Sequence, residues 1–583
     1  DAEPVGVIDR EAVSGFGFGG INAHLLVEEH REQRVTASEP PRPAPLALVG
    51  LGARFGALDG LQAFAEATLE GRSALALPPV DRWRGLQDSP WIRSLAPDLA
   101  RLPGAWIDRL SLPVGRFKLP PTEVPSTLAQ QLLMLQVAAE AAEDAGLRAG
   151  RGGEPLLRTG VVVGLGQDLE ATGFHLGWML RLQARRWAEL HGTTLDAATE
   201  DLWVEALQEE LGPRLDSSRT LGALGGIVAS RVARELRLGG PSFGVSSEDA
   251  SGLRALEVAA RLLQRGEVDR MLVGAVDLAG DLRAVLAVDA LAPWTRTAPR
   301  PFGADADGAA VGEGAAALVL KRLDDALADG DRVYAVLRGI GAAQDSWSAA
   351  FAAAERDAGF GLGDVGLIEA AAAGRPDEDA DELDAIRRAH RGAPASTALG
   401  AVRACVGDPG AAGGLASLLR GVVALHRRCL PARPGFQPPA GEEGGPLHVD
   451  EERRAWLHDA ATGPRRLAVH ARSVDGTRVQ ALLEEAPAAS LGSPDRSAAA
   501  DPSSTPHAAV APAPASPSDP DPPRPSAGLF LAWGVDGAGL DTSVAALRRF
   551  SESCAPSAPA GPLARRWLDL AGPPPAGARV RAV

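Results

Sequence analysis

Apolar and polar positions come in blocks along most of this chain. Leu46-Ala47-Leu48-Val49-Gly50 is a short apolar run stopped by glycine, and Gly160-Val161-Val162-Val163-Gly164 is another. Runs this short, apolar at successive positions, suit strands buried on both faces. Between them, residues 130–145 place Leu132, Leu135, Ala139 and Ala142 on one face of a helix. Further on, Phe243-Gly244-Val245 reads as a strand and residues 246–251 as a tight polar turn. Residues 252–265 read as a helix with Leu253, Leu256, Ala260 and Leu263 on one face, ended by Gly266, and residues 271–276 as the next strand. Helices and strands alternating in this way predict an α/β fold.

Two stretches break the pattern. Residues 31–44 are polar and proline-rich, a linker composition. Residues 487–526, with PAPASPSDPDPPRP, hold too few large apolar side chains to offset the entropy of ordering them. One long globular body is expected between these linkers. After the second, a strand-like Leu529–Trp533 and a helix-like Thr542–Phe550 begin a further region, 527–583.

Composition narrows the function. The 583 residues carry 59 Lys+Arg against 75 Asp+Glu, a formal charge of -16, with no basic run. That lacks the electrostatic footprint of a nucleic-acid binder or of a binder of anionic membranes. Three cysteines, Cys405, Cys429 and Cys554, are too few and too far apart for a disulfide framework or a Cys-x-x-Cys metal site. No apolar run approaches the roughly 18 residues of a membrane span, and residues 1–30 have no signal-peptide pattern. A soluble cytoplasmic protein is expected. The first residue is Asp1 with no initiator Met, which suggests processing or excision from something larger.

The strand, turn, helix and strand of residues 243–276 have a chemical meaning. Such an elbow puts one side chain at a helix N-terminus, where backbone N–H groups and the helix dipole stabilise negative charge. That is the geometry an acyl-transfer nucleophile needs. An ordinary turn in which Asp249 caps the helix accounts for the same pattern.

The motifs then accumulate into a resemblance. Residues 15–24, GFGFGGINAH, are similar to the closing Gly-Phe-Gly-Gly-x-Asn-Ala-His motif of β-ketoacyl synthases, through Gly17, Phe18, Gly19, Gly20, Asn22 and His24. From residue 45 a second copy resembles the opening of the same family, including Arg54-Phe55 and Pro79-Val80-Asp81-Arg82-Trp83. Gln130-Gln131, Gly239-Gly240-Pro241-Ser242, Arg300-Pro301-Phe302 and Gly312-Glu313-Gly314 continue it. Residues 20–26 and 476–482 also align without a gap before Glu28-Glu29 and Glu484-Glu485. The resemblance thus implies two condensing units in tandem: residues 1–30 as the tail of an upstream ketosynthase, and 45–486 as a thiolase-like five-layered αβαβα domain. Its two similar halves are expected at about 45–298 and 299–486.

The family's chemistry needs a cysteine at the elbow to take an acyl group as a thioester, and two histidines to stabilise the enolate and the oxyanion. Laid over this chain, the cysteine position is Asp249, the first histidine is Ala371 and the second is Asp408, with Arg403 and Glu313 nearby. No catalytic residue is intact. Two carboxylates roughly 4 Å apart at an effective dielectric of about 20 repel by about 4 kcal/mol, and Arg403 is placed to neutralise one of them. A structural ion pair filling a retired site competes with an unrecognised carboxylate chemistry. His175, His191 and His426 stand alone, and the acidic run 377–382 reads as a solvated face, so no metal is expected. Phe174, Trp178 and Leu180 lie where the family places interface and acyl-channel elements.

An intact condensing fold without catalytic residues, following a ketosynthase, resembles the chain-length factor of polyunsaturated fatty acid and polyketide synthases. The resemblance implies a pseudo-dimer with the upstream ketosynthase and work with a phosphopantetheinyl acyl carrier protein. It implies no cofactor bound by the domain itself. An inactive ketosynthase of a modular synthase, or a divergent decarboxylase or hydrolase using Asp249 and Asp408, are the alternatives.

Overall fold

The computed structural model describes residues 42–487, apart from 81, 84, 114, 148–153, 167–170, 191, 212–216, 279–280, 304, 392–395 and 434–446. It also describes 10–16, 22–28, 531–534, 537–552, 567, 570–571 and 579–582. Gly17, Phe18, Gly19 and Gly20, and the side chains of Asn22, His24, Phe174 and Trp178, lie outside the described residues. The chain forms two compact units, 1–494 and 495–583. In the second, Leu531–Gly534 pairs antiparallel with Arg579–Ala582, and helix Gly537–Glu552 contributes Leu547 to a small cluster with Trp567.

The first unit opens with a hairpin, β1 (Arg10–Phe16) against β2 (Asn22–Glu28). Its body begins at β3 (Leu46–Phe55), followed by α1 (Ala129–Asp144), β4 (Thr159–Leu165), α2 (Ala171–Leu190) and α3 (Ala197–Leu211). Then come β5 (Ser242–Val245), α4 (Ser251–Gln264), β6 (Arg270–Leu278) and β7 (Val311–Arg322). The remainder is β8 (Ala335–Gln344), α5 (Trp347–Ala358), β9 (Leu367–Glu369), α6 (Pro376–Ala389), β10 (Thr397–Gly400), α7 (Gly413–Arg427), β11 (Arg466–Arg472) and β12 (Thr477–Glu485).

The hydrogen-bonded order is β5-β4-β6-β7-β3 in the first half and β10-β9-β11-β12-β8 in the second. The two halves repeat each other in order and in sense: the first three strands of each row run parallel and the last two junctions are antiparallel. Leu46–Leu48 paired with Ala335–Leu337 joins the half-sheets. The repeat therefore turns over between Arg322 and Ala335. Strand Val311–Arg322 closes the first half, whereas the sequence suggested that the second half begins at about 299; apolar runs buried on both faces carry no mark of which sheet they join.

The layers follow from which side chains share a core. Along β3, Leu46, Leu48, Leu51, Ala53 and Phe55 face one cluster while Ala47 and Val49 face another. The shared cluster holds α4 and α7 between the half-sheets, and β11 and β12 also point into it through Leu467, Val469, Val479, Ala481 and Leu483. α1 covers the outside of the first sheet, and α5 with α6 the outside of the second. Helix, sheet, helix pair, sheet and helix make the five αβαβα layers expected. α1 is buried nearly all round, Gln130 and Gln131 included, where the sequence pattern gave it one apolar face. Gly50 and Gly52 let it sit this close: a Cβ on Gly52 would lie 2.5 Å from the Val137 carbonyl oxygen.

Candidate functional site

β5 ends at Val245, and the chain turns through Ser246–Ala250 into α4. Glu248 takes a positive φ of 45° at this elbow. Ser251 Oγ stabilises the turn, accepting from the Ser247 N–H at 2.8 Å and donating to the Glu248 carbonyl at 2.5 Å. Asp249 does not cap the helix: Ala250 is the cap residue, and no side chain bonds the free N–H groups there. The carboxylate instead faces Arg403, 3.8 Å from its Nη2, and keeps 25% of its side-chain surface in contact with solvent.

Arg403 opens the short helical turn Arg403–Val406, and Asp408 follows it after Gly407. Its Nη1 donates to Asp408 Oδ2 at 2.9 Å, and Asp408 Oδ1 accepts from the Gly410 N–H at 3.2 Å. The Asp408 N–H donates to the Ala310 carbonyl, which ties this turn to the start of β7. Both Arg403 and Asp408 are buried. Burial and the charge of Asp408 push the Asp249 carboxyl up to about 7, against the pull of Arg403 and Arg375. One guanidinium thus serves two carboxylates, and Asp408 holds the closer contact.

Ala371 lies on the loop after β9, in the run Ala370–Ala373, and all four alanines are buried. α6 holds this loop from below. Glu382 accepts from the N–H groups of Ala371 and Ala372 at 2.9 and 3.0 Å, and Asp379 from those of Gly374 and Phe302 at 3.1 and 2.7 Å. The acidic run is therefore not a solvated face throughout, as its composition suggested. Three positions apart on the helix, Asp379 and Glu382 fall together on the inward side of α6. Burial raises Asp379 to about 6 despite its two amide partners. Burial would raise Glu382 as well, but His470 and the Ala372 and Ala371 amides hold it below the ordinary carboxylate range.

His470, on β11, was not among the histidines the sequence singled out. It has no solvent contact, places Nδ1 2.9 Å from Glu382 Oε1 and Nε2 3.0 Å from Gln480 Oε1, and stacks on Phe351. Nearby, Glu378 accepts from Arg375 at 2.8 Å and pairs with Arg472 at 2.7 Å, which extends the charged network around the elbow.

The remaining expected site residues lie elsewhere. The Glu313 carboxylate pairs with the Arg82 guanidinium and accepts from the Ile107 N–H, the latter at 2.8 Å. Leu180 packs against Ala184 and Val204 inside the α2–α3 pair, as core of that pair. Cys405 and Cys429 are buried, and burial raises both thiols above their ordinary range, which makes them inert. Among the described residues no group of His, Cys, Asp and Glu has the arrangement of a metal site, and no helix is long and apolar enough to cross a membrane.

Comparison with known proteins places this geometry. Residues 44–326 match the β-ketoacyl synthase N-terminal domain and residues 334–437 its C-terminal domain, a junction that coincides with the turnover between β7 and β8. A polyunsaturated fatty acid synthase component of Thraustochytrium sp. is 31% identical over 80% of the chain, and the chain spans 23% of that protein. The phthioceranic/hydroxyphthioceranic acid synthase of Mycobacterium tuberculosis is 31% identical over 77% of the chain, which spans 20% of it. The chain thus covers about a quarter or less of these relatives. Among solved structures, a PfaC keto synthase-chain length factor aligns with a TM-score of 0.65 at 24% identity, over 82% of this chain and 47% of that one. The ketosynthase from module 6 of the bacillaene synthase of Bacillus subtilis 168 aligns with a TM-score of 0.59 at 21% identity, over 88% and 79%. Two domain matches, a repeated five-layer fold and an elbow at the expected place converge: the chain belongs to the β-ketoacyl synthase family.

Proposed function

We propose that this chain is a chain-length-factor-like partner of an adjacent β-ketoacyl synthase in a multidomain polyunsaturated fatty acid or polyketide synthase. It carries out no condensation itself. It completes a pseudo-dimer and shapes the acyl channel while the partner performs iterative decarboxylative Claisen condensation on a phosphopantetheinyl acyl carrier.

One observation carries the proposal: the elbow, the loop after β9 and the turn after Arg403 hold Asp249, Ala371 and Asp408, with the two carboxylates bridged by one arginine. A carboxylate that attacked a thioester would give an anhydride, and its charge would oppose an oxyanion at the same helix N-terminus. The Ala371 methyl cannot donate a hydrogen bond to an enolate. The partner is supported by two features. Among the described residues β5 ends its half-sheet, with Phe243 and Gly244 exposed, an edge open to a further strand. The β1–β2 hairpin repeats the register of β11–β12, as the closing hairpin of a preceding unit would. The names of the fatty acid synthase relative and of the keto synthase-chain length factor structure fit the same context.

The test uses the intact synthase. Loading with acyl and malonyl carrier protein should leave Asp249 unacylated, Asp249→Cys should restore no condensation, and native mass spectrometry should show pairing with a ketosynthase. Acyl transfer by Asp249→Cys would count against the proposal, and a homodimer would favour an inactive modular ketosynthase. A second reading draws on Asp249 itself: a carboxyl that releases its proton near neutral pH suits a general acid. Malonyl decarboxylation that disappears in Asp249→Asn would establish that reading instead.

A further inference from the structure

The N-terminal hairpin and the closing hairpin of the body correspond residue for residue. A single constant offset carries Arg10 onto Arg466, Ala12 onto Ala468, Val13 onto Val469, Leu26 onto Leu482 and Glu28 onto Glu484. It also preserves the pairing, since Arg10 faces Glu28 as Arg466 faces Glu484. One pair breaks the correspondence. Ser14 faces His24 in the first hairpin, whereas His470 faces Gln480 in the second. The offset carries Ser14 onto His470 and His24 onto Gln480, so both hairpins keep one imidazole in this pair, on opposite strands.

We infer that the imidazole has changed strands within one cross-strand pair, and that His470 is the positioning residue that holds Glu382 and, through it, the Ala370–Ala373 loop. Directly opposed residues of an antiparallel pair have Cβ atoms about 5 Å apart and point to the same face. An imidazole on either strand therefore reaches the same neighbouring carboxylate, while its former position needs only a side chain that hydrogen-bonds to it. Gln480 is that side chain, with Oε1 3.0 Å from His470 Nε2. Nδ1 on the far side of the ring meets Glu382 at 2.9 Å. Phe351 and Trp347 fix the ring plane at centroid distances of 5.0 and 5.3 Å.

What the ring holds is strained. Ala372 has a φ of 51°, a left-handed conformation that is unfavourable for an alanine. It persists because Glu382 holds the N–H groups of both Ala371 and Ala372. His470, Glu382 and these two amides form one chain of hydrogen bonds that preserves the shape of the loop, although the loop carries no imidazole of its own. This role of His470 is independent of whether the chain is catalytic.

Hydrogen-exchange mass spectrometry on the full chain tests it, comparing the native protein, His470→Ser and the double variant His470→Ser/Gln480→His, which recreates the arrangement of the N-terminal hairpin. In His470→Ser, peptides covering 370–374 should exchange about tenfold faster while those of α7 stay unchanged, and the double variant should recover most of that protection. Unchanged exchange at 370–374 in the single variant, or a double variant no better protected than the single, would overturn the inference. If the single variant does not fold, recovery of a folded double variant supports the exchange of strands, and failure of both overturns it.

Discussion

Arg403 and Asp408 form an ion pair beside the elbow, Nη1 to Oδ2 at 2.9 Å, with both side chains almost free of solvent. A buried pair of this kind contributes little net stability, but removing one partner leaves the other charge buried alone. Arg403→Ala, which also deprives Asp249 of its cation, should destabilise the unit by about 3–5 kcal/mol. Chemical denaturation measures the loss, and Arg403→Ala/Asp408→Asn should recover part of it.

Asp249 gives the site a pH dependence of definite sign. Its folded-state carboxyl is raised to about 7, above its ordinary 3.8. Its contribution is therefore fully present below about pH 4 and is lost as the pH rises through about 7. Asp249→Asn, neutral throughout, escapes that loss. Its thermal midpoint relative to the native protein should climb from about pH 4 to about pH 7 and level off above, with a limit of at most about 4 kcal/mol. A difference that stays constant with pH would contradict the origin assigned to it.

The contact between β3 and α1 should tolerate no side chain at Gly52. Gly52→Ala forces a methyl group against the Val137 carbonyl, a backbone atom of a helix buried nearly all round. Overpacking of this kind costs about 1–3 kcal/mol. Urea denaturation should show a lower midpoint with an unchanged slope.

The strands and helices that build the elbow were legible because each is an apolar run or an amphipathic stretch bounded by glycine or polar residues. The 160–164 strand and the 252–265 helix fall within one residue of the pattern at each end, whereas the strand that starts at Leu46 runs on to Phe55, five residues past the glycine that seemed to stop it. What escaped the sequence depends on partners distant in the chain. Asp379 and Glu382 look solvated until the amides of Phe302, Ala371 and Ala372 are seen beside them. Arg82, 231 residues from Glu313 along the chain, is the cation that pairs with that carboxylate. His470 gave no local signal, since β11 is buried on both faces. Extending the alignment of the two closing segments upstream to Ser14 would have exposed it.

The N-terminal hairpin has a consequence for how this chain folds. In the body, Ala481, Leu482 and Leu483 of β12 are fully buried, whereas the matching Leu25, Leu26 and Val27 of β2 are exposed. The chain therefore carries a spare copy of its own last two strands, with the same register and the same Arg–Glu pairing at its end. When residues 1–583 refold on their own, this copy competes with β11 and β12 for their place between β8 and β9, in the same molecule or in a neighbour. Removing residues 1–30 should raise the yield of monomer on refolding at micromolar concentration, read by size-exclusion chromatography, without lowering the midpoint of unfolding.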